Sequence, residues 1–320
     1  MKAAQYDRYG GPEVIEIREV ETPQTPAGKL RVRVAAAAIN PKDALTRAGK
    51  FKSMAGPQFP KALCYDFAGV VDELGAGMVG FRLGEPVFGM LNGWPAGAAA
   101  EYLIADPVAT APKPASLSYV EAAALPLAAQ TALQALRDLA GARAGSKVLI
   151  HGASGGVGTL AVQIAKALGA RVTALCGADS VALVRGLGAD EVIDYREQPP
   201  EALTERYDCF FDVFGNQSFG RIKACLATRG VYVTTVPNRR NVIDHLRTRL
   251  WPGRRARLVV VKSKRADLET LSRWVGEGRL RPIIAAEFDL ADIRSAHQGI
   301  QTRRTHGKLI LRIADLETPI

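Results

Sequence analysis

The chain has 320 residues, 48% of them apolar, with 42 lysines and arginines against 32 aspartates and glutamates, for a net charge of +10. That length is generous for one hydrophobic core and suits two domains of ordinary size. No run of about 18 uncharged apolar residues occurs, so neither a membrane-spanning helix nor a membrane partner is expected.

Residues 1–8 lack the apolar stretch of a secretory signal, which makes the cytoplasm the expected compartment. The four cysteines, Cys64, Cys176, Cys209 and Cys225, are dispersed and form no C-x-x-C pair. They read as buried reduced thiols rather than as a disulfide frame or a zinc cluster.

Taken in chain order, the first 120 or so residues predict short strands set between glycine and proline turns. Extended segments are expected at 30–39, 67–74, 86–90 and 100–104, with turns at Gly10-Gly11-Pro12, Thr25-Pro26-Ala27-Gly28 and Gly75-Ala76-Gly77. That texture suits a compact β-rich domain with barrel-like closure. Helical character runs from 119 to 139, interrupted near Pro126.

From Ser146 the pattern changes to strict alternation. Apolar strands are expected at 147–151, 171–176, 191–194, 207–213, 230–236 and 258–261, with helical segments between them. Strands joined by crossover helices form a parallel, doubly wound sheet, because right-handed βαβ units pack in that way.

The most informative stretch is Val148-Leu-Ile-His-Gly-Ala-Ser-Gly-Gly-Val-Gly158. An apolar strand stops at Gly152, small residues crowd the next positions, and an amphipathic helix follows. Glycines let the chain turn sharply and let a phosphate approach without meeting Cβ atoms; the unpaired N–H groups of the helix start then face the anion. Ala153, Ser154, Gly155, Gly156, Val157 and Gly158 are therefore the candidate pyrophosphate cradle, with Ala153 where the commonest fingerprint has its first glycine. His151, at the end of the strand, reads as a satisfied core histidine.

An acidic residue about 20 positions past the glycines would grip ribose hydroxyls in an NAD site. Cys176 and Gly177 stand there instead, so nothing repels a 2′-phosphate, and NADPH is favoured with NADH possible. Val236, at the end of the fifth expected strand, is where such a sheet sets backbone against a nicotinamide carboxamide.

Arginines concentrate at 239, 240, 247, 249, 254, 255 and 257. They read either as a solvated basic face or as a patch for a polyanion: a CoA ester, an acidic carrier protein or RNA. Only Trp251 supplies an aromatic inside the cluster, too few for a stacking groove, and no nucleic-acid partner is expected. The tail predicts a helix at 268–276, an extended segment at 282–288, a helix at 291–301 and a strand at 308–313. It is expected to return to the first domain, leaving the active cleft between the domains.

Five segments together resemble the medium-chain dehydrogenase/reductase superfamily, in its zinc-free, quinone oxidoreductase-like (ζ-crystallin-like) branch. They are Asn40-Pro-Lys-Asp43 with Arg47 and Gly49; Asp66-Phe-Ala-Gly-Val70; Gly97 to Tyr102; Leu125-Pro126 to Thr131-Ala132; and His151 to Gly158 continuing through Gly188-Ala-Asp190 and Ile193-Asp-Tyr195. The resemblance implies an α/β fold: a Rossmann doubly wound parallel sheet plus a β-rich GroES-like substrate domain. The expected divisions are 1–122 for the GroES-like catalytic domain, 123–262 for the NAD(P)-binding domain, and 263–320 for the return.

By the same resemblance, Asn40 and Thr131 line the nicotinamide–substrate cleft, Asn40 donating an amide hydrogen bond to a carbonyl and Thr131 touching cofactor. Tyr65 replaces a zinc-binding histidine as a candidate proton donor, and Lys42 is a candidate electrostatic donor. Asp43 and Asp66 read as carboxylates that hold loop backbone. Tyr195 matches a 2′-phosphate ligand, and Ser180 stands where some relatives have lysine. Phe51 falls where the family often has a substrate-touching tyrosine. The positions of the zinc ligands correspond to Asn40, Tyr65 and the 126–129 region, which offer no tetrahedral N/S set, so no metal is expected.

The implied activity is zinc-independent, NADPH-dependent hydride transfer to a small quinone or α,β-unsaturated carbonyl. An enoyl-thioester reductase, or a non-catalytic nucleotide-sensing or RNA-binding protein, is the alternative. The sixth strand would form a sheet edge, which favours a homodimer.

Overall fold

The computed structural model describes residues 1–94, 96–250 and 252–316; Trp251 of the arginine cluster lies outside them. The chain divides into two compact units. One holds residues 1–127, 262–276 and the tail from 282; the other holds 128–261 with 277–281.

The first unit is built on a seven-stranded sheet. Its path runs Ile284–Asp289, Lys308–Arg312, Leu30–Ile39, Asp66–Leu74, Pro86–Met90 and Thr110–Pro112, while Tyr102–Ala105 pairs with Leu30–Ile39 off that path. The strand Leu30–Ile39 is long enough to serve two neighbours along one side: residues 30–33 face Tyr102–Ala105, and residues 36–39 face Lys308–Arg312. Its alanine run, Ala35 to Ala38, is buried, and the helix Tyr119–Ala123 packs there. Small side chains at that crossing bring helix and sheet together. Gly69 has a similar reason: a Cβ there would lie 2.1 Å from the Arg33 carbonyl oxygen of the neighbouring strand.

Val32, Val34, Phe67, Val87, Leu103, Ile293, Leu309 and Leu311 belong to the core beneath this sheet. A smaller sheet, Glu16–Glu19, Lys2–Tyr6 and Lys61–Ala62, completes the unit. Its strands were not expected from the sequence, since they are short and half-polar. Helix breaks fall as expected at Pro126, with Pro126–Leu133 following Tyr119–Ala123 and a π-helical turn at Gln134–Leu139.

One buried pair in this unit has a measurable cost. Arg47 is fully buried; its Nη1 donates to the Gly10 carbonyl at 2.5 Å and its Nε to His297 Nδ1 at 3.4 Å. An accepting Nδ1 means a neutral imidazole. Burial, then the Arg47 charge, holds His297 down at about 3. The unfolded chain, with an ordinary histidine near 6.5, therefore binds the extra proton first. This contribution is complete above pH about 6.5 and is lost as pH falls toward 3. His297→Gln is expected to flatten the acid limb of a urea-unfolding series by up to about 1.4 kcal/mol per pH unit. An acid limb identical to that of the parent would refute the assignment.

The second unit is a six-stranded parallel sheet in the order Glu191–Asp194, Arg171–Cys176, Lys147–His151, Tyr207–Asp212, Leu226–Thr234, Arg255–Leu258. The order reverses between Lys147–His151 and Tyr207–Asp212, which creates a crevice at the carboxyl ends of those strands. The last two strands differ from expectation. The fifth begins at Leu226, and the sixth is Arg255–Leu258, not 258–261. The alternating Arg-Ala-Arg-Leu segment takes the edge, with Val231 opposite Arg255 and Thr234 opposite Leu258. Ala256 is buried there, whereas Val260 of the more apolar run is 80% exposed. An edge strand needs one buried face only, so alternation outweighed hydrophobicity.

Candidate functional site

At the switch point of the second unit, the strand Lys147–His151 ends at Gly152, whose φ of +84° turns the chain. Gly155 caps the helix Gly156–Ala167, and this helix packs back on Lys147–His151 and Arg171–Cys176. Gly158 sits where the turn closes on the helix. A Cβ there would lie 2.1 Å from the Gly152 carbonyl oxygen and 2.7 Å from backbone atoms of Ala153. Ala153 is buried, while Ser154, Gly155, Gly156 and Val157 stay half-exposed at the helix start. The N–H groups of a helix's first turn have no intrahelical acceptor, so this bare backbone fits an anion.

A wall beside this turn was not anticipated. Asp212 is fully buried at the end of its strand and accepts from the Gly215 and Gln217 N–H groups at 2.8 and 3.0 Å, and from Tyr232 Oη at 2.9 Å. His151 Nδ1 lies 2.9 Å from the same carboxylate, so His151 is satisfied within the core. Four donors on one carboxylate fix the loop after the fourth strand. That loop in turn meets Val236, since a Cβ on Gly215 would fall 2.0 Å from a Val236 methyl. The Val236 carbonyl accepts from Asn238 N–H and Asn241 Nδ2.

The second strand ends at Cys176, and the Tyr195 N–H donates to the Cys176 carbonyl at 3.2 Å. Tyr195 is partly exposed there, with the Arg196 guanidinium 5.7 Å from its ring centre. Ser180 is buried at the end of the turn Ala178–Ser180. Arg196 is a further cation at this end, and it follows the strand without any pattern in the sequence that marks it. Asp194 lies beside Cys176 in register, so a carboxylate does stand near that strand end. Thr131 is buried in the helix Pro126–Leu133.

In the first unit, Asn40-Pro-Lys-Asp43 starts the helix Pro41–Arg47. Asp43 Oδ2 accepts the Asn40 N–H at 2.8 Å and Oδ1 accepts the Cys64 N–H at 3.0 Å. The motif is thus a helix-start signal as much as a chemical one. Burial pushes Asp43 up to about 7, opposed by its bond from Asn40. Asn40 itself is 2% exposed. Its Nδ2 donates to Asp66 Oδ2 at 2.9 Å, and its Oδ1 accepts from Lys308 Nζ at 2.5 Å. Asp66 Oδ1 accepts from the Leu127 N–H at 2.7 Å, and Lys308 Nζ lies 3.4 Å from Oδ2. Asp43 and Asp66 hold backbone, as their sequence context implied. The Asn40 amide is engaged at both ends by protein groups, which corrects the picture of a donor waiting for substrate. Lys308 comes from a strand 268 residues away and had no signal in sequence.

Tyr65 lies beside this network. Its hydroxyl donates to the Trp94 carbonyl at 3.0 Å, and burial raises its pKa above the ordinary tyrosine value. Both facts make it a poor proton donor. Lys42 Nζ lies 3.6 Å from the Tyr65 ring centre and 4.8 Å from that of Trp94, and donates to the Gly93 carbonyl at 2.9 Å. Phe51 packs against Trp94 with ring centres 5.1 Å apart. A cavity of about 320 Å³ opens here, lined by Tyr65, Trp94, Tyr6, Thr46, Asp43 and Lys61 among others.

Residues 26–115 match the alcohol dehydrogenase GroES-like domain, and residues 187–311 match the zinc-binding dehydrogenase domain. The chain is 31% identical to the chloroplast envelope quinone oxidoreductase homolog of Arabidopsis thaliana, over 97% of this chain and 98% of that one. It is 33% identical to the 2-methylene-furan-3-one reductase of Solanum lycopersicum, over 97% of this chain and 79% of that protein. The quinone oxidoreductase structure from Coxiella burnetii superposes with a TM-score of 0.89 at 32% identity, covering 98% and 99% of the two chains. Escherichia coli quinone oxidoreductase complexed with NADPH gives 0.83 at 26%, covering 98% and 100%. The chain belongs to the quinone oxidoreductase branch of the medium-chain dehydrogenase/reductase superfamily.

One matching domain, over residues 187–311, is described as zinc-binding. Among the described residues no group of three or more His, Cys, Asp or Glu side chains is arranged to hold a metal. At Asn40 and Tyr65, which lie in the GroES-like match and which the family resemblance sets at zinc-ligand positions, stand an amide bonded to Lys308 and Asp66 and a phenol bonded to a backbone carbonyl. No helix among the described residues is long and apolar enough to cross a membrane.

Proposed function

We propose that this protein is a zinc-independent, NADPH-dependent reductase that transfers hydride to a quinone or an α,β-unsaturated carbonyl. The observation that carries the reading is the glycine turn running into a helix start at the switch point of the parallel sheet, closed so tightly at Gly158 that a Cβ there would meet backbone atoms of Gly152 and Ala153. NADPH supplies the hydride when bound. The chain's own contribution is to hold and orient it. Ala153 to Gly158 face the pyrophosphate, the Asp212-braced loop and Val236 form the wall, and Thr131 contacts the cofactor. Ser180, Tyr195 and Arg196 take the 2′-phosphate end, where Arg196 supplies the charge that the cradle itself lacks.

For the acceptor, the aromatic cavity in the first unit suits a small planar molecule, since its volume lies at the lower end of small-molecule sites. Lys42, stacked on the Tyr65 and Trp94 rings, sets a positive charge behind two of the lining residues, which favours negative charge developing on a reduced oxygen. Asn40 acts there by fixing the start of the helix that carries Lys42. Assembly as a homodimer is supported by the open edge strand Arg255–Leu258, and we place the protein in the cytoplasm.

The test is NADPH oxidation with a neutral quinone, a small enone and an enoyl-CoA, each at low and high salt. Turnover of the quinone or enone unaffected by salt is the expected result. Salt-sensitive turnover of enoyl-CoA alone would move the assignment to a thioester reductase. NADPH binding without oxidation by any of the three would overturn the reductase reading.

A further inference from the structure

The cavity of the first unit has a floor and a mouth of different character. Tyr6, Asp43, Leu63 and Tyr65 are buried at its floor, whereas Gln58 and Pro60 are exposed at its mouth. Lys61 lines it as well and is half-buried, between the two. Register sets Lys61 opposite Tyr6 on the neighbouring strand, so the two side chains share a face.

Lys61 Nζ donates to the Ala55 and Gly56 carbonyls at 2.8 and 2.9 Å and lies 4.9 Å from the Phe59 ring centre. Those bonds close the short helix Lys52–Ala55, which accounts for where the amine stands. They leave its charge unbalanced. Among the described residues no carboxylate comes within ion-pair distance of Lys61, in contrast to Lys29, Lys147, Lys166 and Lys308. An ammonium has three N–H groups, so one is left for a guest.

The rest of the lining does not offset this charge. Lys42 lies behind the Tyr65 and Trp94 rings. Asp43 is the one acid among the described lining residues, and both its oxygens already accept backbone N–H groups, from Asn40 and Cys64. Burial also pushes it up to about 7, which thins its negative charge near neutrality. A cavity that presents an unpaired cation and commits its acid to backbone favours an anionic guest. One spare N–H matches a single carboxylate rather than a polyanion, and a volume of about 320 Å³ keeps the guest small.

We propose that the acceptor is a small conjugated carbonyl compound bearing a carboxylate, which Lys61 holds toward the mouth while the carbonyl end lies against the Tyr65–Trp94 wall. The inference rests on the reading of this cavity as the acceptor site. The acceptor gains hydride at its β carbon and a solvent proton at its α carbon, becoming the saturated acid as NADPH becomes NADP⁺. Lys61 binds the carboxylate equally before and during that step, so its loss shows in KM rather than in kcat.

Steady-state NADPH oxidation would be measured with trans-benzoylacrylate and with its uncharged carboxamide. The parent is expected to have a KM about tenfold lower for the acid, the lower end of what a charge-assisted hydrogen bond contributes. Lys61→Met should erase that difference and Lys61→Arg should keep it. Calorimetric titration of the two saturated products without NADPH reads the same preference as binding, free of any difference in reactivity. Equal KM values for acid and carboxamide in the parent overturn the proposal. An equal loss for both in Lys61→Met also overturns it, because Lys61 would then be only the clasp of the helix Lys52–Ala55. Silence of both acceptors, and of a neutral quinone, would strike the reductase reading instead. The calorimetric preference for the acid, and its loss in Lys61→Met, would then decide the carboxylate site alone.

Discussion

Lys308→Met is expected to destabilise the protein by about 3–5 kcal/mol at neutral pH, because it strips a buried carboxylate of its counter-charge. Lys308 is 4% exposed and Asp66 fully buried. The ammonium donates to Asn40 Oδ1 at 2.5 Å and lies 3.4 Å from Asp66 Oδ2. Methionine fills a similar volume, so the loss reports charge and hydrogen bonding rather than a cavity. Burial already raises Asp66 above the ordinary aspartate range, with Lys308 the largest opposing influence. Removing the ammonium raises it further.

A carboxyl whose folded pKa is raised destabilises the fold above its unfolded pKa, and that cost disappears as pH falls below it. The deficit of Lys308→Met should therefore shrink in acid. Urea unfolding of Lys308→Met, Asp66→Asn and the double variant gives the coupling directly. The double variant should lose less than the sum of the singles. Additive losses, or a loss under about 1 kcal/mol for Lys308→Met, would show that the ammonium does not support Asp66.

Gly158→Val is expected to weaken NADPH binding by more than about 100-fold, corresponding to two charge-assisted hydrogen bonds lost at about 1.5 kcal/mol each. The added Cβ would stand 2.1 Å from the Gly152 oxygen and 2.7 Å from Ala153 backbone atoms. None of these is the end of a flexible side chain, so the turn itself must move and its N–H groups lose their aim. Fluorescence titration with NADPH reads the loss, and circular dichroism checks that the fold persists. Gly155→Ala is the control: its Cβ meets nothing closer than the Gly152 oxygen at 3.6 Å, with φ at an ordinary −76°. Any loss of affinity in that variant reports space needed by the cofactor. Full affinity in Gly158→Val would remove the turn from the binding site.

Much of this architecture was written in local patterns. The strands at Lys147–His151, Arg171–Cys176 and Glu191–Asp194 lie where apolar runs end in glycine or acidic turns. The strand–turn–helix at 147–167 is legible for the same reason: backbone freedom at Gly152 and close packing at Gly158 are properties of the residues themselves. The four cysteines are buried and unpaired, as their scatter implied. Local rules failed where neighbours decide. The sixth strand settled on Arg255–Leu258 because the register with Leu226–Thr234 placed it there, against the pull of the more apolar run that follows.

The tertiary structure alone decided what the candidate side chains do. Asn40 and Tyr65 carry groups suited to proton and hydrogen-bond chemistry, yet folding commits the amide to Lys308 and Asp66 and the phenol to the Trp94 carbonyl. Lys308 and Asp212 became central through contacts that span 268 and 61 residues. Residue type determines what a group can donate or accept and where the backbone can turn. Which partner claims that capacity depends on burial, because an unmatched polar group away from water is costly and the fold satisfies it with whatever distant residue arrives.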